Sequence, residues 1–424
     1  MIEELLMLLF SFLIAINLSW IMLYFLPRRE VFPALPSYPS VSIILPAHNE
    51  EKAIRDSVED ALRTEYPGEK EVIVVNDGST DGTAKIVRSF SSSDSRVKLL
   101  DVSHGGKANA INTGLSSARG EIIVVVDADS KLSEDALMEM VKPFADQKVG
   151  AVSGVIRAVM NNNPLVWYQD FEYLMSSTWR YVCNKLDGTY LLPGFTAFRK
   201  SVLSAVGGFS TDTLAEDFDI GLRVRKAGYR MVMTKAVIYT HVPQTFKSLV
   251  RQRLRWSRGT LQVVRKHSDV PFNPEYGAIG FYGIPTQLYW FMHGFIALPL
   301  TAYQILYGYL IYFAKYNVYL SFSVFKYFFS WISMYGMLEY SYNSFTGVYP
   351  MNTLFLMCFI SFVLGLSYNL LSILRYSKLS WKHILVLFFY FPYSIFALIV
   401  FMIPIFLEAN PFKRKGGVVN IWEK

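Results

Sequence analysis

Asp127 and Asp129 stand one residue apart, directly after the apolar run 121–126. Carboxylates so placed can share a hard divalent cation, Mg2+ or Mn2+, which also bridges to phosphate oxygens and neutralises a diphosphate leaving group. Such a pair alone is more often an acidic turn that merely stops a strand. Asp77, in Asn76-Asp77-Gly78-Ser79, ends another apolar run. Its carboxylate can bond a nucleobase, although Asp-Gly is also an ordinary turn. His104-Gly105-Gly106-Lys107-Ala108 puts a lysine after two glycines at a helix start. An ammonium and free backbone N–H groups there suit a phosphate; the plain alternative is a glycine loop with a solvated lysine. Glu216-Asp217 opens an amphipathic stretch, 214–222. The helix dipole favours acids at that end, and a carboxylate there can also serve as general base toward an acceptor hydroxyl. Gln252-Arg253-Leu254-Arg255-Trp256 lies in a basic, helix-compatible segment, 246–266. That segment suits a membrane surface, while Arg255 can clamp a diphosphate and the Trp256 indole can face a sugar ring.

These residues need a frame, and the hydrophobic pattern supplies one. Residues 41–45, 71–75, 97–100 and 121–126 read as buried strands, with helix-compatible stretches at 49–63, 83–90 and 107–118 between them. Alternating strands and helices imply a mainly parallel sheet covered on both faces. Ligands sit beyond the carboxyl ends of such strands, which is where 48–50, 76–79 and 127–129 fall.

Composition divides the chain between two solvents. Charged residues make up 18%, against about 25% in a soluble domain, and the deficit is local. Residues 277–407 carry only Lys315, Lys326, Glu339, Arg375, Lys378 and Lys382. Residues 5–26 form an uncharged run long enough to cross a bilayer. The basic pair after it, Arg28 and Arg29, places the following domain in the cytoplasm. Further apolar runs cover 277–314, 318–338, 351–374 and 384–407. The first is long for one span and contains Pro285 and Pro299, which suggests an interfacial helix followed by a spanning one. Positive charge at 375–382 and at Lys413, Arg414 and Lys415 puts both segments on the cytoplasmic side. A single run separates them, so either Pro392 breaks that run or the loop departs from the charge rule. The net charge of +7 is explained by basic groups beside apolar segments and does not call for nucleic acid. Cys183 and Cys358 show no metal spacing and no disulfide framework.

Taken together and in order, Asp77, Asp127-Ala128-Asp129, Glu216-Asp217 and Gln252-Arg-Leu-Arg255-Trp256 resemble the processive-type inverting glycosyltransferases of family 2. That group includes the cellulose, chitin, hyaluronan and poly-N-acetylglucosamine synthases. The segment 44–50 (Ile-Leu-Pro-Ala-His-Asn-Glu) looks like the family's nucleotide-binding start, with His48 where tyrosine is commoner, and 106–108 matches its GGKA segment. The resemblance implies an α/β GT-A-like (Rossmann-like) cytoplasmic domain plus an α-helical transmembrane region. It assigns Pro46, Asn49, Glu50, Asp77, Lys107, Asp127, Asp129 and Arg255 to the nucleotide-sugar, with Asp129 and Asp127 at a Mg2+ or Mn2+ ion. Asp217 becomes the catalytic base, and Glu216, Gln252 and Trp256 fall at the acceptor. Residues 193–199 occupy an acceptor-side loop with no individual role carried over.

The implied organisation is a transmembrane helix at 1–27, the GT-A-like domain at 38–241, interfacial helices with the QRLRW string at 242–275, transmembrane helices at 276–408 and a cytoplasmic tail at 409–424. The expected protein is a multi-pass plasma-membrane enzyme. It passes a sugar, UDP-linked, with inversion to a growing polysaccharide, coupled to export. Lys326 and Glu339 are candidates for a polar path between helices. Transfer of one sugar to a membrane lipid is the alternative, because ceramide glucosyltransferases carry a similar QxxRW string. A third class, a channel with a degenerate nucleotide domain, fits poorly with intact Asp127, Asp129, Asp217 and Arg255.

Overall fold

The computed structural model describes residues 2–27 and 32–409. The basic groups Arg28, Arg29, Lys413, Arg414 and Lys415, and the expected tail apart from its first residue, lie outside the described residues. The chain forms two compact units: Met1–Pro27, Asn161–Val182 and Pro285–Leu407 in one, and Arg28–Met160, Cys183–Ile284 and Glu408–Lys424 in the other.

The second unit is built on one eight-stranded sheet. Its strands are β1 (Val41–Ala47), β2 (Lys70–Asp77), β3 (Val97–Val102), β4 (Ile122–Val126), β5 (Ser130–Leu132), β6 (Val149–Ala158), β7 (Phe195–Arg199) and β8 (Arg230–Thr240). The order is β3-β2-β1-β4-β7-β6-β8-β5. The first four strands are parallel, as their alternation with helices Ile54–Arg63, Thr83–Ser93 and Lys107–Ser117 requires. The sheet turns mixed at β4, which pairs antiparallel with β7. Ile43, Ile44, Leu45 and the whole run Val72 to Val75 are fully buried, as expected of strands covered on both faces. Each such side chain contributes about 1.5–3 kcal/mol of burial. Pro46 sits inside β1 without breaking it: it pairs toward β2, whereas the register with β4 ends at Ile44. Its missing N–H therefore leaves no ladder partner on the β4 side unmatched. The first helix starts at Ile54 and not near Asn49, because Asn49 takes a left-handed φ of 56°.

The helical stretches Ile2–Phe25, Ile279–Tyr316, Thr353–Tyr376 and Tyr390–Glu408, which make up most of the other unit although Ile279–Ile284 and Glu408 group with the sheet, are long and apolar enough to cross a membrane. The run from 277 forms one helical stretch, opening as a π turn (Ile279–Gly283) and continuing as an α-helix (Ile284–Tyr312). Pro285 falls at the junction of the two, where the π turn already departs from the regular i→i−4 ladder that a proline would break. The run 318–338 is not one span. It forms Phe322–Ile332 and then begins Tyr335–Phe345, with extended backbone at Ser333 between them. Eleven residues make about 16 Å of helix, well short of the ~30 Å hydrocarbon core. Lys326 and Glu339 form an ion pair between these two helices. The last run breaks at Phe389, not at Pro392, giving Trp381–Phe388 and Tyr390–Ala409. Pro392 is the third residue of the latter helix, in its first turn, where a missing N–H costs little. Residues 161–182 group with these helices although their helix, Pro164–Lys185, is not hydrophobic: Phe171 and Leu174 pack on Ile373, Val386 and Leu387.

Candidate active site

Asp77 closes β2 with a fully buried carboxylate. Oδ1 accepts the Gly105 N–H at 2.7 Å and Oδ2 the Gly106 N–H at 2.9 Å. His104 Nδ1 lies 3.0 Å from Oδ2. Asp77 thus holds the glycine loop, and Gly106, at φ 87°, delivers Lys107 as the first residue of helix Lys107–Ser117. A side chain at Gly106 would strain that turn. His48 stacks on His104 with ring centroids 4.3 Å apart, and its Nδ1 meets the Asp77 carbonyl oxygen at 2.6 Å. His48, Asp77 and His104 lie close enough to share a cation, but both Nδ1 atoms already face Asp77.

Pro46, Asn49 and Glu50 sit at and just beyond the carboxyl end of β1. Asn49 is pinned to the loop after β2 by its N–H to Ser79 Oγ at 2.9 Å and by accepting the Thr80 N–H at 2.9 Å. The Glu50 N–H donates to Thr83 Oγ1 at 2.8 Å. The strained Asn49 backbone is over-determined by its neighbours, the usual condition for keeping such a conformation.

The turn after β4 carries the paired aspartates. Ser130 N–H returns to the Asp127 carbonyl at 3.0 Å, and Ser57 Oγ donates to the Ala128 carbonyl at 2.7 Å. Asp129 accepts from Thr240 Oγ1 at 3.3 Å. Asp127 meets the Lys107 ammonium at 2.5 Å, and the same ammonium lies 3.2 Å from Glu216 Oε1. Glu216 and Asp217 begin helix Glu216–Lys226, which has no side-chain cap of its own.

One pocket therefore brings together Lys107, Asp127, Glu216 and Asp217, walled by Ile111, Val125, Leu192, Phe198, Phe209 and Ile220, with Gly194 and Thr196 at its side. Its electrostatics follow from one cation among three carboxylates. Burial works against the Lys107 ammonium, but Asp127 and Glu216 outweigh it and hold the lysine protonated. Burial pushes Glu216 up, yet Lys107 and Arg255 together keep it below the usual carboxylate range. Asp217 accepts the Phe218 N–H at 2.8 Å and feels the Lys107 charge, but these are outweighed. Burial, then the charge of Glu216, push its carboxyl up to about 7. A buried carboxyl poised near neutrality can exchange a proton with a bound hydroxyl.

Arg255 is exposed on helix Phe246–Lys266 and acts on Glu216 through its charge. Gln252 and Trp256 are half-buried on the same helix. Gln252 accepts from Arg253, whose guanidinium lies 4.2 Å over the Trp256 ring. Neither lines the pocket, and neither do Pro46, Asn49, Glu50, Asp77 or Asp129. Sequence reasoning gave no role to Gly194 and Thr196, or to Leu192, Phe209 and Ile220. The Pro193-Gly194 step before a β-rich run was the available signal for the first two, while the others look like ordinary core.

Residues 42–207 match the Glycosyl transferase family 2 profile. A Bacillus subtilis protein named probable glycosyltransferase YdaM is 31% identical over 284 residues, 60% of this chain and 67% of the relative. The chain belongs to glycosyltransferase family 2. Among its relatives, the poly-beta-1,6-N-acetyl-D-glucosamine synthase of Staphylococcus epidermidis is 33% identical over 234 residues, 53% of this chain and 55% of the synthase. The synthase of the same name from Staphylococcus aureus strain COL is 30% identical over 267 residues, 58% and 63% respectively. The match thus takes in 55% and 63% of the length of these synthases. Among solved structures, the mannosyltransferase PcManGT of Pyrobaculum calidifontis, in complex with GDP-Man and Mn2+, is similar at a TM-score of 0.59 and 23% identity. That likeness covers 89% of this chain and 99% of the other, and it is a likeness of fold. The sheet unit of this family 2 enzyme is GT-A-like, accompanied by apolar helices of membrane-spanning length.

Proposed function

We propose that this family 2 enzyme transfers N-acetylglucosamine, with inversion, from UDP-N-acetylglucosamine to the end of a growing polysaccharide at the cytoplasmic face of the plasma membrane, and that it exports the chain. The observation that carries the reading is the cluster of half-buried Lys107, Asp127 and Asp217 around buried Glu216 in a chain similar to poly-N-acetylglucosamine synthases. Asp217 acts as general base. It takes the proton of an acceptor hydroxyl as that oxygen bonds to the anomeric carbon and the bond to the diphosphate breaks. No covalent sugar–enzyme species is needed. Glu216, ionised beside Lys107, raises the proton affinity of Asp217. Arg255 and Lys107 supply positive charge toward the departing diphosphate, electrostatic stabilisation that costs no reorganisation at the moment of reaction. Gln252 and Trp256 belong to the acceptor, and Pro46, Asn49, Glu50 and Asp77 shape the nucleotide's place at the ends of β1 and β2.

The donor set at the end of β4 suits a hard divalent cation. Asp127 and Asp129 offer carboxylate oxygens, and Gly194 leaves space beside Asp127 Oδ2 where a Cβ would stand 3.4 Å away. Asp129 and Asp127 would hold Mg2+ or Mn2+, which when bound neutralises the diphosphate.

The test is a donor screen on the protein in lipid nanodiscs, with labelled nucleotide sugars and Mn2+ or a chelator. A long, polydisperse product from UDP-N-acetylglucosamine that needs the metal supports the reading. A single-sugar, lipid-extractable product moves the assignment to glycolipid synthesis, and no turnover of any donor overturns it.

A further inference from the structure

Helix Tyr390–Ala409 contains one charged residue, Glu408, in its last turn. The helix dipole disfavours a carboxylate at that end, and the apolar chain before it offers no counter-charge. The compensation comes from helix Phe246–Lys266. Arg258 Nε donates to Glu408 Oε1 at 2.8 Å, and Gln262 Nε2 reaches the same oxygen at 3.4 Å. The other end of the Gln262 amide is also engaged: its Oε1 accepts the Leu214 N–H at 3.0 Å. The carboxylate thus fixes which way that amide points. Its NH2 turns to Glu408 and its oxygen to the backbone that leads into Glu216 and Asp217. Leu214 lies just before Ala215, the residue that leads into helix Glu216–Lys226, so the Gln262 bond ties the entry to the carboxylate turn to helix Phe246–Lys266. The two helices also touch closely here. A Cβ on Gly259 would stand 2.8 Å from Ala215 Cβ and 2.9 Å from Ala215 N. Residues 255, 258, 259 and 262 recur at helical spacing, so Arg255 and the Gln262 contact share one side of this helix.

We infer that Glu408 is a positioning residue for the transfer reaction: with Arg258 it orients Gln262, and Gln262 holds the Leu214–Asp217 turn so that the base meets the acceptor hydroxyl. This rests on Asp217 being the base. It gives the sole carboxylate of an apolar helix a part in the chemistry without any contact to substrate. Loss of Glu408 frees the Gln262 amide to turn over. The carboxylate turn then drifts, which lowers the rate of the proton-transfer step more than donor binding.

The experiment uses the full chain in nanodiscs with UDP-N-acetylglucosamine and Mn2+, comparing Glu408→Ala, Glu408→Gln, Gln262→Ala and the double variant Glu408→Ala/Gln262→Ala. The expected result is a kcat roughly tenfold lower for each alanine variant, with KM for the donor within about twofold of wild type. The double variant should be no worse than Gln262→Ala alone, because the carboxylate works through the amide. Glu408→Gln, which keeps a hydrogen-bond acceptor, should fall between wild type and Glu408→Ala. Affinity for UDP, measured on every variant, shows that the nucleotide site is folded. Wild-type kcat in Glu408→Ala, or losses that multiply in the double variant, overturns the inference. Asp217→Asn in the same series separates the two claims. If it stays active the base assignment fails, whereas if it is dead and Glu408→Ala is normal only the positioning role fails.

Discussion

Lys107→Met removes the one ammonium from the pocket while keeping the side chain's length. In the wild type that ammonium lies 2.5 Å from Asp127 and 3.2 Å from Glu216. Breaking a buried pair by deleting one partner costs about 3–5 kcal/mol, because the remaining charge is left uncompensated. Here the penalty has a pH signature. Lys107 helps hold Glu216 below its ordinary range, so the ionised Glu216 contributes stability above the unfolded carboxylate's range, lost only as pH falls through the lowered value. Without the lysine, burial and the neighbouring Asp217 push Glu216 up. Its ionisation then opposes folding, and stability drops as pH rises. At pH 5 the carboxyls can keep their protons and the deficit shrinks; at pH 8 they cannot. For a unit of this size each kcal/mol moves the melting temperature by about 2–4 °C, so the variant should melt on the order of 10 °C below wild type at pH 8. The assay is thermal unfolding of both proteins in the same nanodiscs across pH 5–8. A deficit that stays constant with pH, or a variant as stable as wild type at pH 8, would refute the electrostatic account.

Three other outcomes are expected. Asp217→Asn should lower kcat by about 10²–10⁴-fold while leaving UDP affinity unchanged, and equal loss of both would make Asp217 structural. Because Asp217 must be ionised to accept a proton and its carboxyl is pushed up to about 7, the wild-type rate should climb with pH through neutrality and then level off. A flat profile from pH 5.5 to 8.5 would contradict this. Gly221→Ala should destabilise the protein by about 1–3 kcal/mol and slow turnover, since a Cβ there would clash with the Tyr190 carbonyl oxygen and push the carboxylate helix aside. Thermal unfolding and kcat measured together check it.

The parallel half of the sheet was legible because β1, β2 and β4 are unbroken buried runs with turn chemistry at their ends. The mixed half was not. β6 holds two glycines and β8 alternates irregularly, so neither shows the pattern of a buried strand. Helix Pro164–Lys185 escaped notice for a different reason. Its buried Gln169, Asp170, Ser177 and Thr178 give it the hydropathy of a soluble helix, although residues 161–182 group with the apolar ones. At the site, residue types identified Asp127, Asp217 and Lys107 as chemical candidates. Nothing in the sequence could say that Lys107 bridges Asp127 and Glu216, because that contact depends on how the glycine loop, the β4 turn and a distant helix converge. The His48–His104 stack and the clamp of Asp77 on Gly105 and Gly106 were likewise invisible, being tertiary contacts between loops.

The central claim is a single displacement driven by Asp217, and the anomeric configuration of the product tests it most directly. The first linkage formed from an α-linked UDP-N-acetylglucosamine should be read by NMR on freshly made product. The account predicts a β-linkage, formed about 10²–10⁴-fold more slowly by Asp217→Asn. An α-linkage would contradict it, since retention requires either a second displacement or a front-side path.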